Sequence, residues 1–175
     1  MVREVKVKSV FANERIIADK DKVSLELYDK SRYGELVGDK IHYSLVEGLY
    51  LTEKGKLVAK DRKGKSLKFD NYIKKVRIRD KAFLTKYYVF KEMRDRGYIV
   101  KTALKFGAEF RVYERGVKPG EDHAKWILYP VSEGDVLTWY DFSAKNRVAH
   151  STRKKLLVGV VDEQTDVTFY EISWI

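Results

Sequence analysis

Three residues whose side chains can exchange a proton or carry a fixed charge follow one another in the second half of the chain. The stretch VYERGVKPGEDHAKW places Tyr113 on a predicted strand and His123 ten residues later, after a loop of glycine and proline. Lys154 follows 31 residues further on, in NRVAHSTRKKLL, where a predicted helix gives way to a strand. Taken singly they do not indicate catalysis, because loop histidines are usually solvated, tyrosines usually pack, and cations are favoured near helix C-termini.

Composition limits the chemistry that the chain can support. None of its 175 residues is cysteine, which excludes disulfides, thiolate zinc sites and cysteine nucleophiles. Its three histidines are scattered, so we expect no multi-histidine metal site, and any chemistry must proceed without a metal or bind one through carboxylates. We expect no cofactor. No apolar run approaches about 18 residues and no charged-then-apolar leader is present, from which we expect a cytoplasmic protein without a membrane span.

The net charge of +10 predicts a polyanionic partner, most often nucleic acid. The surplus lies mainly in residues 1–83, with 21 basic and 13 acidic residues, against 15 and 13 in residues 84–175. General solubility is the alternative explanation of this charge.

Residues 1–83 predict an α+β domain. Val5 and Val7 alternate with lysines, and Leu25 and Leu27 alternate with polar residues, a period typical of half-buried strands. A short helix is predicted around SLVEGLYL, because its large apolar residues recur at i, i+1, i+4 and i+5.

Residues 84–175 predict an α/β domain with a small mixed sheet flanked by two helices. Thr85 is the expected N-cap of the first helix, and Gly97 is expected to end it in a left-handed conformation. Asp141 is the expected cap of a second helix over DFSAKNRVAHS.

Strands are predicted in YIVKTALKF, EFRVYERG and KWILYPV, and on both sides of the acidic turn DEQTD. In EFRVYERG the alternation puts Tyr113 on the face that carries Arg111 and Arg115. Trp126 and Trp139 are expected in the core.

The combination of Tyr113, His123 and Lys154 at these separations resembles the catalytic set of the archaeal tRNA-splicing endonucleases. The surrounding segments are similar as well: FGAEFRVYERG, GVKPGEDHAKWILYPV, RVAHSTRKKLLVGVVDE and YEISWI follow in the order of that family's C-terminal catalytic domain. The resemblance covers residues 84–175 and is weaker over residues 1–83, where the family carries a smaller α+β domain.

The resemblance implies an enzyme that cleaves precursor tRNA at the two exon–intron junctions of a bulge-helix-bulge motif. The expected products carry a 2′,3′-cyclic phosphate and a 5′-hydroxyl, formed without a metal ion. Attack of a ribose 2′-hydroxyl on the adjacent phosphate needs a base for the 2′-hydroxyl proton, an acid for the departing 5′ oxygen, and a cation beside the phosphate.

The three residues have the chemistry for these roles. His123 is the expected acid, because imidazole holds and releases protons near neutral pH. Lys154 is the expected cation beside the non-bridging oxygens. Tyr113 is the expected base, although a phenol with a pKa of about 10 is mostly protonated at neutral pH. Cations such as Arg111 or Arg115 would lower such a pKa if they lay close, and the alternative is that Tyr113 only orients the 2′-hydroxyl.

The resemblance also implies how an extruded bulge base is held, between two side chains from the partner subunit. Arg147 lies seven residues before Lys154, where the family's first clamp arginine falls. Trp174 fills the second position, where some relatives have arginine, and tryptophan can still stack on a base. A buried interface aromatic is the alternative for Trp174.

The family further implies a homotetramer built as a dimer of dimers. The terminal segment VTFYEISWI is largely apolar, and such an edge strand is expected to pair with a second copy. Asp162, Glu163 and Asp166 form an acidic turn that is expected to dock into a basic cleft of a neighbouring dimer, and an ordinary exposed hairpin turn is the alternative.

Two other functions remain as alternatives at this point. A non-catalytic structural subunit of a splicing endonuclease would keep the elements of oligomerisation but lose the three catalytic residues, which are all present here. A general RNA-binding protein would account for the basic first half but leave the separations of the three residues unexplained.

Overall fold

The fold was analysed in a computed structural model, which describes residues 5–104, 107–117, 119–120 and 122–173. The chain forms two compact units, the first ending at Tyr87 and the second starting at Tyr88. The domain boundary between residues 83 and 84 that the sequence indicates stays a prediction. No helix within the described part of the chain is both long and apolar enough to cross a membrane.

The first unit is built around a mixed sheet. Its strands are β1 (Val7–Ala12), β2 (Arg15–Asp19), β3 (Glu35–Val37), β4 (Lys40–Ser44) and β5 (Leu57–Lys60). They lie in the order β3-β4-β2-β1-β5, in which β1 and β5 are parallel and the other pairs are antiparallel. The helices of this unit are α1 (Lys22–Asp29), α2 (Leu45–Glu53) and α3 (Phe69–Arg77). The predicted α+β class is confirmed.

The strand predicted at Leu25 and Leu27 is wrong, because both residues belong to α1. A capping box starts this helix: the Asp21 carboxylate accepts a hydrogen bond from the Ser24 amide at 2.8 Å, and the Asp21 amide donates to the Ser24 hydroxyl at 2.9 Å. Leu27 is buried, so the helix packs through one side.

The helix predicted around SLVEGLYL is α2, and it packs closely through Gly48. A Cβ atom at this position would lie 2.4 Å from Ile16 Cγ1 and 2.7 Å from the hydroxyl oxygen of Tyr72. That hydroxyl donates a hydrogen bond of 2.8 Å to the carbonyl of Leu45. The absence of a side chain at Gly48 therefore lets α2 approach β2 and α3.

The second unit contains the other sheet. Its strands are β6 (Ile99–Thr102), β7 (Phe110–Tyr113), β8 (Trp126–Ser132), β9 (Lys155–Val161) and β10 (Val167–Ile172). They lie in the order β10-β9-β8-β7-β6; β8 and β9 are parallel, and the other neighbours are antiparallel. The helices are α4 (Phe83–Asp95), within which the division between units falls, and α5 (Trp139–Ser151), which connects β8 to β9.

The two helices pack on opposite faces of this sheet. On one face, Ile127 and Leu156 belong to a buried cluster that includes Ala149 of α5. On the other, Gly159 of β9 lies against α4, where an added Cβ would be 2.9 Å from Val89 Cγ1. The predicted mixed sheet flanked by two helices is confirmed.

The start of α4 differs from its prediction. Thr85 is not the N-cap, because the helix already begins at Phe83. Just before it, the Asp80 carboxylate accepts a hydrogen bond of 3.1 Å from the Ala82 amide, which marks a local turn ahead of the helix. Gly97 has the expected left-handed conformation, with φ of 88°.

The start of α5 corrects two further predictions. Thr138 is the N-cap, and Asp141 is the third helical residue of a capping box: the Thr138 hydroxyl accepts from the Asp141 amide at 3.1 Å, and the Asp141 carboxylate accepts from the Thr138 amide at 3.3 Å. Trp139 is the first residue of the helix and is 83% exposed, so it is not a core residue. Trp126 is buried, as predicted.

Candidate active site

The topology of the second sheet brings Tyr113, His123 and Lys154 to one edge. Tyr113 ends β7, His123 precedes β8 by three residues, and Lys154 directly precedes β9. Since β7 is antiparallel to β8 while β8 and β9 are parallel, the end of β7 and the starts of β8 and β9 meet at the same edge. The register pairs Val112 with Trp126 and Trp126 with Lys155, which fixes the alignment of the three strands there.

These three side chains line one cleft of about 400 Å³. Tyr113 is only 4% exposed, Lys154 is half-buried, and His123 is exposed. The remaining lining residues come from β7 and from the loop before β8: Arg111, Pro119, Gly120, Asp122 and Ala124. A phenol, an imidazole and an ammonium group therefore face a common space large enough for a small ligand or a part of a larger one.

The loop between β7 and β8 places His123. It turns at Gly116 and Gly120, whose φ angles of 82° and 96° lie in the left-handed region that glycine tolerates best. Next to His123, the Asp122 carboxylate accepts a hydrogen bond of 2.6 Å from the His123 amide. This bond restrains the backbone of the imidazole-bearing residue at the cleft.

The end of α5 places Lys154. The Arg153 amide donates to the His150 carbonyl at 2.9 Å, and the Lys154 amide donates to the Ala149 carbonyl at 2.8 Å. These bonds close the last turn of the helix and direct the chain into β9. The ammonium group of Lys154 also donates to the carbonyl of Thr152 at 2.8 Å.

Arg111 lines the cleft. The sequence predicted that it shares a strand face with Tyr113 but did not indicate it as a residue of the site. Its guanidinium carbon lies 5.9 Å from the centroid of the Tyr113 ring, whereas Arg115 lies over the ring of Tyr98 at 4.9 Å. Arg111 Nε is buried, and no acceptor among the described residues reaches it. Alternation along β7 is the sequence signal that puts Arg111 beside Tyr113.

Two lysines near Lys154, Lys125 and Lys155, are paired with carboxylates. Lys125 pairs with Glu114, which raises the pKa of the Lys125 ammonium group. Glu171 accepts hydrogen bonds from Lys155 Nζ at 2.5 Å and from the indole nitrogen of Trp126 at 2.7 Å. Both bonds hold the pKa of Glu171 below its usual value, and the bond from Lys155 has the larger effect.

Comparison with known families agrees with this arrangement. Residues 83–169 match the family model for the tRNA intron endonuclease catalytic C-terminal domain, and residues 7–73 match the model for the N-terminal domain of the same family. The chain belongs to the tRNA intron endonuclease family. Tyr113, His123 and Lys154 all lie within the part that matches the catalytic domain. The prediction that the chain is an endonuclease is confirmed.

Curated relatives of the family cover most of the chain. A tRNA-splicing endonuclease of Pyrococcus horikoshii is 44% identical over 166 residues, which is 94% of each chain. A second, of Nanoarchaeum equitans, is 47% identical over 145 residues, covering 79% of this chain and 92% of the relative. A third, of Methanothermobacter thermautotrophicus, is 37% identical over 175 residues, covering 98% of this chain and 99% of the relative.

The other residues that the resemblance indicated lie outside this cleft or outside the described part of the chain. Arg147 is exposed on α5, and Trp174 lies outside the described residues. The three acidic residues occupy the turn between β9 and β10, where the Asp162 carboxylate accepts a hydrogen bond of 2.9 Å from the Asp166 amide; Glu163 and Asp166 are exposed. Within the described ranges, no cluster of three or more acidic or imidazole side chains could hold a metal ion.

Proposed function

We propose that this endonuclease excises introns from precursor tRNA by cutting both exon–intron junctions of a bulge-helix-bulge motif. The observation that carries the proposal is the common cleft of Tyr113, His123 and Lys154. The relatives' shared name, tRNA-splicing endonuclease, supports precursor tRNA as the substrate.

In the proposed reaction the 2′ oxygen of the ribose attacks the adjacent phosphorus and the bond from phosphorus to the 5′ oxygen breaks. Tyr113 accepts the proton of the 2′-hydroxyl or orients that hydroxyl. His123 gives a proton to the departing 5′ oxygen. Lys154 stabilises the negative charge that grows on the non-bridging oxygens. The products are a 2′,3′-cyclic phosphate and a 5′-hydroxyl, and none of these steps needs a metal ion.

The surroundings of the three groups support these roles. Lys154 is half-buried and Tyr113 is almost fully buried, so a phosphate entering the cleft would lose part of its hydration, and a fixed cation acts more strongly there than in water. Arg111 adds a second positive charge at the same wall. His123 is exposed, which suits an acid that must be reprotonated from water after each turnover.

Assembly completes the proposal. We propose a homotetramer, a dimer of dimers, in which Arg147 and Trp174 hold an extruded base and the acidic turn docks into a neighbouring dimer. The exposure of Arg147, of Glu163 and of Asp166 supports this arrangement. The position of β10 at the edge of its sheet supports pairing with a second copy.

The test compares wild type with His123→Ala on a bulge-helix-bulge RNA in EDTA. We expect wild type to release cyclic phosphate ends, and the variant to bind the RNA normally but to cut about a hundredfold more slowly, as loss of a general acid should cause. His42→Ala is the matched control, because His42 lies on β4 of the first unit, and we expect it to cut like wild type.

Two results would contradict the proposal. Equal cleavage by wild type and His123→Ala would remove His123 from the reaction. A wild type that binds the RNA in EDTA without cutting it would refute the metal-independent mechanism.

A further inference from the structure

Lys154 lines a second groove besides the proposed catalytic cleft. This groove has a volume of about 450 Å³, and it is formed by the end of α5, the start of β9 and the end of β10. Most of its lining side chains are basic or can become so: Lys125, His150, Arg153, Lys154 and Lys155. Ile172 supplies an apolar wall.

Arg153 gives this groove a positive charge that no described carboxylate neutralises. Lys125 and Lys155 are paired with Glu114 and Glu171, respectively. Within the described part of the chain, by contrast, no carboxylate pairs with the exposed guanidinium group of Arg153. A planar guanidinium presents parallel donors that match two oxygens of one phosphate.

The backbone of Arg153 adopts a conformation that is unfavourable for arginine. Its φ angle is 55°, in the left-handed region that favours glycine. The end of α4 has the same hydrogen-bond pattern, in which the Gly97 amide donates to the Arg94 carbonyl and the Tyr98 amide to the Met93 carbonyl. The chain thus uses glycine to end one helix of this unit and arginine at the equivalent position of the other.

Helix closure alone does not account for the arginine. The closing bonds at the end of α5 are made by backbone amides, which glycine would supply without strain. A cation near the helix C-terminus is favoured by the dipole, but Lys154 and Lys155 follow directly and already provide positive charge there. Helix closure and the helix dipole therefore leave the exposed guanidinium group of Arg153 available for a ligand.

We propose that this groove binds a backbone phosphate of the substrate RNA adjacent to the one that is cut, with Arg153 as its principal ligand. The inference rests on the proposed function. Lys154 is shared by the cleft and the groove, so an RNA strand whose scissile phosphate lies beside Lys154 enters the groove with its next nucleotide. The neighbouring phosphate then meets Arg153, and the apolar wall at Ile172 faces the sugar or base.

The test is the binding of a bulge-helix-bulge RNA that carries 2′-deoxyribose at both cut positions, which removes the nucleophile and leaves binding intact. We compare wild type, Arg153→Gly, and the matched control Arg32→Gly, which removes an arginine with φ of 60° in the first unit. Arg153→Gly should weaken binding about tenfold at 0.1 M salt, as expected for loss of a charge-assisted hydrogen bond. It should also reduce the salt slope of log K by about one.

Stability separates this role from a structural one. Both glycine variants remove the backbone strain of an arginine in the left-handed region, so each should have an unfolding temperature equal to or above that of wild type. Arg32→Gly should keep wild-type affinity for the RNA. Arg153→Asn, whose side chain tolerates the left-handed region, gives a second variant in which RNA binding should weaken by a similar factor.

Two outcomes would overturn the inference. The first is wild-type RNA affinity in Arg153→Gly; if the oligomeric state of that variant changes at the same time, the groove binds the acidic turn of another copy instead. The second is an equal loss of RNA affinity in Arg32→Gly, which would assign the effect to net charge. If wild type binds the RNA but never cuts an all-ribose version, the proposed function fails, while the affinity comparison still decides the role of the groove.

Discussion

The close packing of α2 at Gly48 allows a stability prediction with a worked magnitude. In Gly48→Ala the new Cβ would lie 2.4 Å from Ile16 Cγ1 and 2.7 Å from the Tyr72 hydroxyl oxygen, both well inside van der Waals contact. Ile16 and Tyr72 are fully buried, so neither side chain can move into solvent to make room. The added methyl group must displace the helix or break the hydrogen bond from Tyr72 to Leu45.

Three contributions set the expected loss. Alanine is favoured over glycine in a helix interior by about 1 kcal/mol, which opposes the destabilisation. Overpacking a dense core costs about 1–3 kcal/mol. Loss of a buried hydrogen bond costs about 1 kcal/mol. We therefore expect Gly48→Ala to lower the free energy of unfolding by about 2 kcal/mol.

Urea unfolding of a double-mutant cycle with Gly48→Ala and Tyr72→Phe measures the coupling between the two positions. Tyr72→Phe removes the hydroxyl and should cost about 1 kcal/mol alone, because the Leu45 carbonyl loses its donor. In the double variant the methyl group gains the vacated space, so the loss should fall short of the sum by about 1 kcal/mol. Gly134→Ala is the control, since a Cβ there meets no atom within 4 Å. A Gly48→Ala protein as stable as wild type, or an additive cycle, would refute the reasoning.

Three further predictions concern the second unit. Glu171→Gln should reduce the free energy of unfolding at pH 7 by up to about 1 kcal/mol. Because folding lowers the pKa of Glu171, this loss of stability should shrink as the pH falls below the ordinary carboxyl pKa, and it should vanish below the pKa of Glu171 in the folded protein. Urea unfolding at several pH values measures the difference between the variant and wild type. The same variant frees Lys155 in the second groove, which Arg153 also lines, and should tighten RNA binding and steepen its salt dependence. Unchanged RNA affinity would argue against a phosphate there. Thr138→Ala removes the N-cap of α5 and should cost about 1 kcal/mol in the same unfolding assay, while Thr138→Ser should retain most of the stability.

The sequence predicted the cleft better than it predicted the helix ends. Alternation in EFRVYERG identified β7, and it put Tyr113 and Arg111 on one side of that strand. The separations to His123 and Lys154 and the segments around them indicated one family, and the structure places all three residues at neighbouring strand ends.

The errors have physical causes. Leu25 and Leu27 lie in a helix of eight residues, too short for a helical period to stand out from a strand period, and the capping box at Asp21 was the better signal. Trp139 shows that an aromatic residue next to a helix start is not necessarily buried. The left-handed conformation of Arg153 could not be predicted, because the closure of α5 against β9 imposes it on a residue that does not favour it.

The backbone of Lys125 connects the strands that carry two of the three proposed catalytic groups. Its amide donates to the Val112 carbonyl and its carbonyl accepts from the Lys155 amide, each at 2.9 Å. Tyr113 and Lys154 are the immediate neighbours of those two bonded residues. Local opening at Lys125 would therefore release both sides of the cleft in one event, so that loss of geometry is cooperative rather than gradual. In a sheet that stays closed on the timescale of turnover, the phenol and the ammonium group keep their spacing before any RNA arrives.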